Sequence, residues 1–256
     1  MFKLSPMRTD RPLLTTATGE PYQPARLYYT IPSKPFVAQI FSQLRCMEED
    51  REGGRWGWFY SAEAAALTFG WPRAQLPADV APVLLGVFGF PKKGGMTLEV
   101  RSFGRAIAAA RFFGPIFGPR VVARRARVVN RFFDANELTG GLEQLDQHLD
   151  QNVTVIDPRA TEERLEKYLA GAKTPEEARR AYERYYEDRR RERRDIPLVE
   201  DFPLAPEEET PDFMHLATTL RLREIRACEH WNGNTQVILR DIIERLSEQR
   251  ATNRLG

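Results

Sequence analysis

From Val100 to Phe133 the chain carries eight arginines and no acidic residue. They are Arg101, Arg105, Arg111, Arg120, Arg124, Arg125, Arg127 and Arg131, set among valines, alanines and phenylalanines. The apolar neighbours pull this stretch inward, while an ionised guanidinium resists burial unless it is paired. Any fold of this chain must therefore bring each arginine to solvent, to a carboxylate or to a ligand. With Lys92 and Lys93 added and the single acid Glu99 subtracted, segment 92–133 has a net charge of +9. The whole chain is only +2, so the remainder sums to −7. One basic zone faces an otherwise acidic body.

The surrounding elements follow from periodicity. Residues 1–25, with Pro6, Pro12, Pro21 and Pro24, read as an extended arm. Arg26 to Ile31 reads as a strand, and Ser33 with Pro35 opens a helix expected to end near Asp50. Trp56, Trp58 and Tyr60 alternate on one face of a second strand. A short helix is expected over 62–69. Val83 to Phe90 is continuously apolar, and Pro91 to Gly95 makes a hairpin turn into a strand ending at Arg101. A short helix from Arg105 to Phe113 should break at the repeated Phe-Gly-Pro of 113–119, ahead of a β-prone run from Val121 to Phe133. A leucine-faced helix (138–149) and a short strand (153–156) complete an α+β domain over 26–157 with a mixed or antiparallel sheet.

After Pro158 the pattern is helical. Charged helices are expected over 158–194, the second capped by Thr174-Pro175 with Glu177. Residues 195–211, with Pro197, Pro203, Pro206 and the run Glu207-Glu208-Glu209, read as an acidic linker. Residues 212–256 read as an αα-hairpin turned at Asn232-Gly233-Asn234. The fold class expected is thus an α+β sheet domain followed by a helical C-terminal region.

No nucleotide-binding, metalloprotease or nucleophile-elbow motif occurs, and His148, His215 and His230 are dispersed. Neither a catalytic group, a metal nor a cofactor is assigned. Cys46 and Cys228 are far apart, which suits buried thiols in a reducing compartment. The N-terminus lacks an apolar signal core, and no run approaches 18 apolar residues, so a cytoplasmic protein without membrane contact is expected.

Two readings of the basic zone compete. In the first, the zone binds RNA or DNA: Arg125, Arg127 and Arg131 alternate on one strand face about 7 Å apart, a row that can neutralise phosphates. Arg101, Arg105, Arg120 and Arg124 extend it, Lys92 and Lys93 add the hairpin turn, and Trp58 offers a ring for base stacking. In the second, the row pairs with segment 134–166, which holds nine acids against two arginines. The first makes this a non-enzymatic nucleic-acid-binding or nucleoprotein accessory protein. The alternative is an adaptor or assembly component, binding a protein partner or itself through helix 174–194 and the C-terminal hairpin. An enzyme without a recognisable motif ranks third.

Overall fold

The computed structural model describes residues 11–50, 54–71, 73–76, 82–139, 141–192, 195–204 and 213–255. In chain order the elements are β1 (Ala25–Thr30), α1 (Lys34–Phe41), β2 (Met47–Glu49), β3 (Trp56–Phe59), β4 (Leu84–Gly89), β5 (Met96–Val100), α2 (Phe103–Phe117) and β6 (Val122–Val129). There follow α3 (Leu142–Asp146), β7 (Thr154–Val155), α4 (Pro158–Leu169), α5 (Pro175–Arg191), β8 (Val199–Pro203), α6 (Phe213–Trp231) and α7 (Leu239–Leu255). The strands form one sheet in the order β2-β3-β4-β5-β1-β6-β8-β7. Every pairing is antiparallel except β7 with β8. The fold is α+β, with helices dominating the C-terminal half.

One sheet face carries Leu27 and Tyr29 from β1, Phe88 from β4, Leu98 from β5, Ala126 from β6 and Phe202 from β8, all in the main core. Helix α2 lies across β1 and β5, with α1 and α6 against it. Ser102 caps α2 by accepting a hydrogen bond from the Arg105 N–H at 3.1 Å. Ala106 and Ala109 let the helix approach the sheet closely, and Phe113 and Phe117 fill the space beyond them. The helix does not break at the first Phe-Gly-Pro. Pro115 removes one backbone donor, yet Phe113 and Phe117, four residues apart, stack at 5.3 Å inside the core and hold the last turn. Gly118, with φ +59°, ends it.

Several expectations are corrected. Helix α1 stops at Phe41 rather than near Asp50, and Met47–Glu49 becomes an edge strand that pairs Met47 with Trp58. The helix expected over 62–69 is a 3-10 turn, Ala62–Ala66. The β-prone run ends at Val129, leaving Arg131 beyond the strand. The described part of the N-terminal arm is built in: Leu14 and Tyr22 are buried, and Leu13 and Thr15 form bridges with Asp134 and Pro21. Residues 1–10 of that arm lie outside the described residues.

The largest difference concerns the acidic stretch 195–211. Its first part supplies β8, hydrogen-bonded to β6 with Arg127 opposite Asp201 and Val128 opposite Glu200. Both acids are fully buried or nearly so. Acids and prolines resemble a linker in sequence, but here Asp201 answers Arg125 and Arg127 on the neighbouring strand and Glu200 answers Arg223 of α6. The remainder of that stretch, 205–211, lies outside the described residues. Helices α6 and α7 pack on one another as the expected hairpin, though Leu216 and Leu220 of α6 also enter the main core.

Candidate nucleic-acid interface

On the sheet face away from α2, four directly opposed residues form a row across four strands: Glu99 on β5, Arg26 on β1, Arg127 on β6 and Asp201 on β8. Two like charges sit side by side in the middle, an arrangement that is unfavourable alone. Asp150, in the turn after α3, bridges them. It accepts from Arg26 Nη1 at 2.7 Å and Arg127 Nη1 at 2.5 Å. At the row's ends Arg26 Nε donates to Glu99 at 2.8 Å and Arg127 Nε to Asp201 at 2.9 Å. Arg125 brings its Nε to 3.1 Å from the other Asp201 oxygen, a charge contact without an aligned hydrogen bond, and lies 4.2 Å over the Tyr28 ring. Three arginines thus meet three carboxylates, and the patch is neutral.

The hydrogen bond from Arg26, outweighing partial burial, and the charges of Arg26 and Arg127 hold the Asp150 carboxyl below the usual carboxylate range. A depressed folded-state pKa stabilises the protein above the unfolded value, about 3.9, and that increment is lost as pH falls through the folded pKa. Asp150→Asn should therefore be less stable than wild type at pH 7, with the gap closing below about pH 4. Denaturant titrations at pH 7 and pH 3 measure it. A gap of the same size at both pH values would mean that the carboxylate charge is not what matters.

The other candidate arginines separate into paired and free groups. Arg101 donates to Asp146 at 2.8 Å, and Asp146 also accepts from the Tyr22 hydroxyl. Arg105 is 3% exposed, against the expectation of an open cation. It donates to Thr18 Oγ1 at 2.8 Å and to the Leu84 carbonyl at 3.1 Å, with Glu20 at 3.6 Å, and so fastens the N-terminal segment to α2 and β4. Arg131 pairs with Glu137 at 2.8 Å and lies over Phe133. Five of the eight arginines thus meet carboxylates of this chain, and Glu137, Asp146 and Asp150 all come from the acidic segment. Arg124 is half-buried beside the β6 bulge and is itself engaged. Trp58 is fully buried, lying 6.0 Å from Phe112 in a near-parallel stack and edge-on to Phe113, so it presents no ring to solvent. The period-two alternation that grouped Trp56 with Trp58 marks the core face instead.

Four cations without a carboxylate partner among the described residues, Lys34, Lys92, Lys93 and Arg120, gather at one end of the sheet. There β1 and β4 finish, β5 and β6 begin, α1 starts and α2 ends. Lys92 and Lys93 stand exposed in the hairpin turn, where Gly94 and Gly95 adopt positive φ, and a Cβ at Gly95 would meet the Tyr29 carbonyl at 2.9 Å. Arg120, exposed, lies 4.2 Å over the Phe36 ring, and Lys34 lies 5.2 Å over Phe90. Ser33 caps α1, whose first turn holds no acid. The segments that build this pole, 21–47, 84–98 and 100–133, contain no Asp or Glu. Glu49 and Asp50 at the end of edge strand β2 mark its boundary. Lys34, Phe36 and Phe90 were not singled out from the sequence; the acid-free run 21–47 was the signal available.

Burial, reinforced by the charge of Glu63, pushes the Cys46 thiol up to about 11, so this cysteine is no nucleophile at neutral pH. Cys228 is also buried. Among the described residues no group of three His, Cys, Asp or Glu side chains could hold a metal ion, and no helix is long and apolar enough to cross a membrane. Comparison with family models, curated proteins and solved structures returns no match.

Proposed function

We propose that this protein binds single-stranded nucleic acid through the basic pole of its sheet, with Lys34, Lys92, Lys93 and Arg120 on the phosphates and Phe36 and Phe90 as partial stacking platforms. The observation that carries this reading is the pairing of exposed cations with aromatic rings in an acid-free region. Single strands suit such a surface because every base has a ring face, while phosphates answer the cations whatever the sequence. Arg125 and Arg127 are excluded from the contact set, since their charge is already met by Asp201 and Asp150. Buried, unbridged thiols fit a reducing, cytoplasmic setting in which such ligands are abundant.

The test is binding of a labelled single-stranded oligonucleotide across a salt series. The variant Lys34→Gln, Lys92→Gln, Lys93→Gln, Arg120→Gln should weaken binding for all sequences and flatten the salt slope by up to ~0.7 per lost contact. The four positions are at the surface, so its melting temperature should stay near wild type. Wild type that fails to bind at low salt, or a quadruple variant that binds equally well, overturns the reading. In that event the adaptor reading takes over, on the exposure of Tyr182 (41%) and Tyr186 (59%) on α5. Exposed aromatic rings on a helix are typical anchors for a partner protein.

A further inference from the structure

Helix α5 turns a stripe of charged side chains to solvent: Glu176, Arg180, Glu183, Arg184, Glu187 and Arg191, all exposed. Steps of three and four residues put them on one helical face. The opposite face is occupied. Ala181 and Tyr185 are buried there, Tyr185 lies 5.4 Å from Tyr168 of α4, and the Tyr168 hydroxyl donates to Asp188 at 2.8 Å. Helix α4 has no buried residue of its own. The two helices thus make a thin hairpin with one charged face open to water.

The stripe is charge-antisymmetric about its midpoint, between Glu183 and Arg184. Glu183 mirrors Arg184, Arg180 mirrors Glu187, and Glu176 mirrors Arg191. A second copy laid antiparallel about a two-fold axis through that midpoint sets every arginine of the stripe opposite a glutamate. A parallel copy in the same register sets like against like. A two-fold contact needs a surface complementary to itself, and this stripe is one.

Within one chain the charges are only partly matched. Arg180 lies 3.5 Å from Glu176, and Glu183 accepts from Arg179 at 2.9 Å. Yet Arg180 with Arg184, and Glu183 with Glu187, are like-charge neighbours four residues apart, which works against the helix. Across the antiparallel pair those two arginines face those two glutamates. Exposed ion pairs contribute little individually, so they set direction more than affinity. Apolar area comes from the exposed rings of Tyr182 and Tyr186, which stand along one side of the stripe. The two-fold axis brings that side of one copy against the same side of the other, so the four rings converge. Tyrosine suits such a place, with an apolar body and a polar tip.

We propose that the chain forms a two-fold symmetric dimer in which α5 pairs antiparallel with α5 of a second copy, joining two α4–α5 hairpins into a four-helix arrangement.

The full chain is studied by sedimentation equilibrium without nucleic acid, so the result stands apart from that for the basic pole. At low salt and protein concentrations on the order of 100 μM it should have the mass of a dimer, and association should weaken as salt screens the pairs. Arg180→Glu with Arg184→Glu makes the four central positions acidic and should weaken association roughly tenfold or more. Adding Glu183→Arg and Glu187→Arg exchanges all four signs, restores the antisymmetry and should restore the dimer. Tyr186→Ala, at an exposed position, should also weaken the dimer while melting like wild type. Circular dichroism checks that each variant keeps its helices. A wild type that stays monomeric at that concentration would leave this face to a different partner and overturn the proposal. A dimer unchanged by the double reversal, or not restored by the helical four-fold exchange, would do the same. If the charge variants lose helix, Tyr186→Ala decides alone, and equal association in that variant overturns the proposal.

Discussion

Asp201→Ala should lower the stability of this protein by about 3–5 kcal/mol, the range for removing one partner of a buried ion pair. The carboxylate is wholly inaccessible and faces two arginines across one strand pair. Without it Arg127, 18% exposed, keeps Asp150, but Arg125 loses its carboxylate contact. Removing both sides should behave differently. Asp201→Leu combined with Arg127→Met replaces a desolvated pair by apolar surface, and such exchanges are often neutral or stabilising. Denaturant midpoints of the single and double variants, with the slope checked for constancy, give the comparison. A single substitution that costs less than about 1 kcal/mol would mean that the row behaves as solvated surface pairs and that β8 is held by its backbone alone.

That pairing explains which parts of the molecule could be read in its sequence. The sheet strands with alternating apolar residues, Leu27 with Tyr29 and Met96 with Leu98 and Val100, announce themselves through period two, and the Thr174 cap announces α5. Strand β8 does not. Glu200 and Asp201 in a sheet interior contradict local propensity; Asp201 is made tolerable by Arg127, 74 positions earlier on the opposite strand, and Glu200 by Asn130 and by Arg223 of α6. Long-range charge matching leaves no local pattern. The same holds for Arg105, whose partners Thr18 and Glu20 lie more than eighty residues away. An arginine count locates the basic zone but cannot divide Arg127 from Arg120, because the division depends on which acids the topology brings within reach. Helix α2 passes through Pro115 for a related reason: the stacking of Phe113 on Phe117 is a tertiary gain that outweighs a local loss.

Trp58 separates the two roles an aromatic residue on a sheet can play. Trp58→Ala should cost about 3–5 kcal/mol, since the side chain is fully buried and its removal leaves a cavity against Phe112 and Phe113. Trp58→Phe should cost much less. It keeps an aromatic ring in the cluster and removes an indole N–H that has no hydrogen-bond partner, so part of the lost packing is offset by relief of an unsatisfied donor. Both variants should bind single-stranded oligonucleotide as wild type does when measured well below their melting temperatures, because the ring meets no solvent. Stacking would give the opposite order: little change in stability on Trp58→Ala, and a loss of ~1–3 kcal/mol in binding. Melting and binding measured on the same preparations distinguish the two, and a stable Trp58→Ala protein that binds poorly would return this tryptophan to the interface.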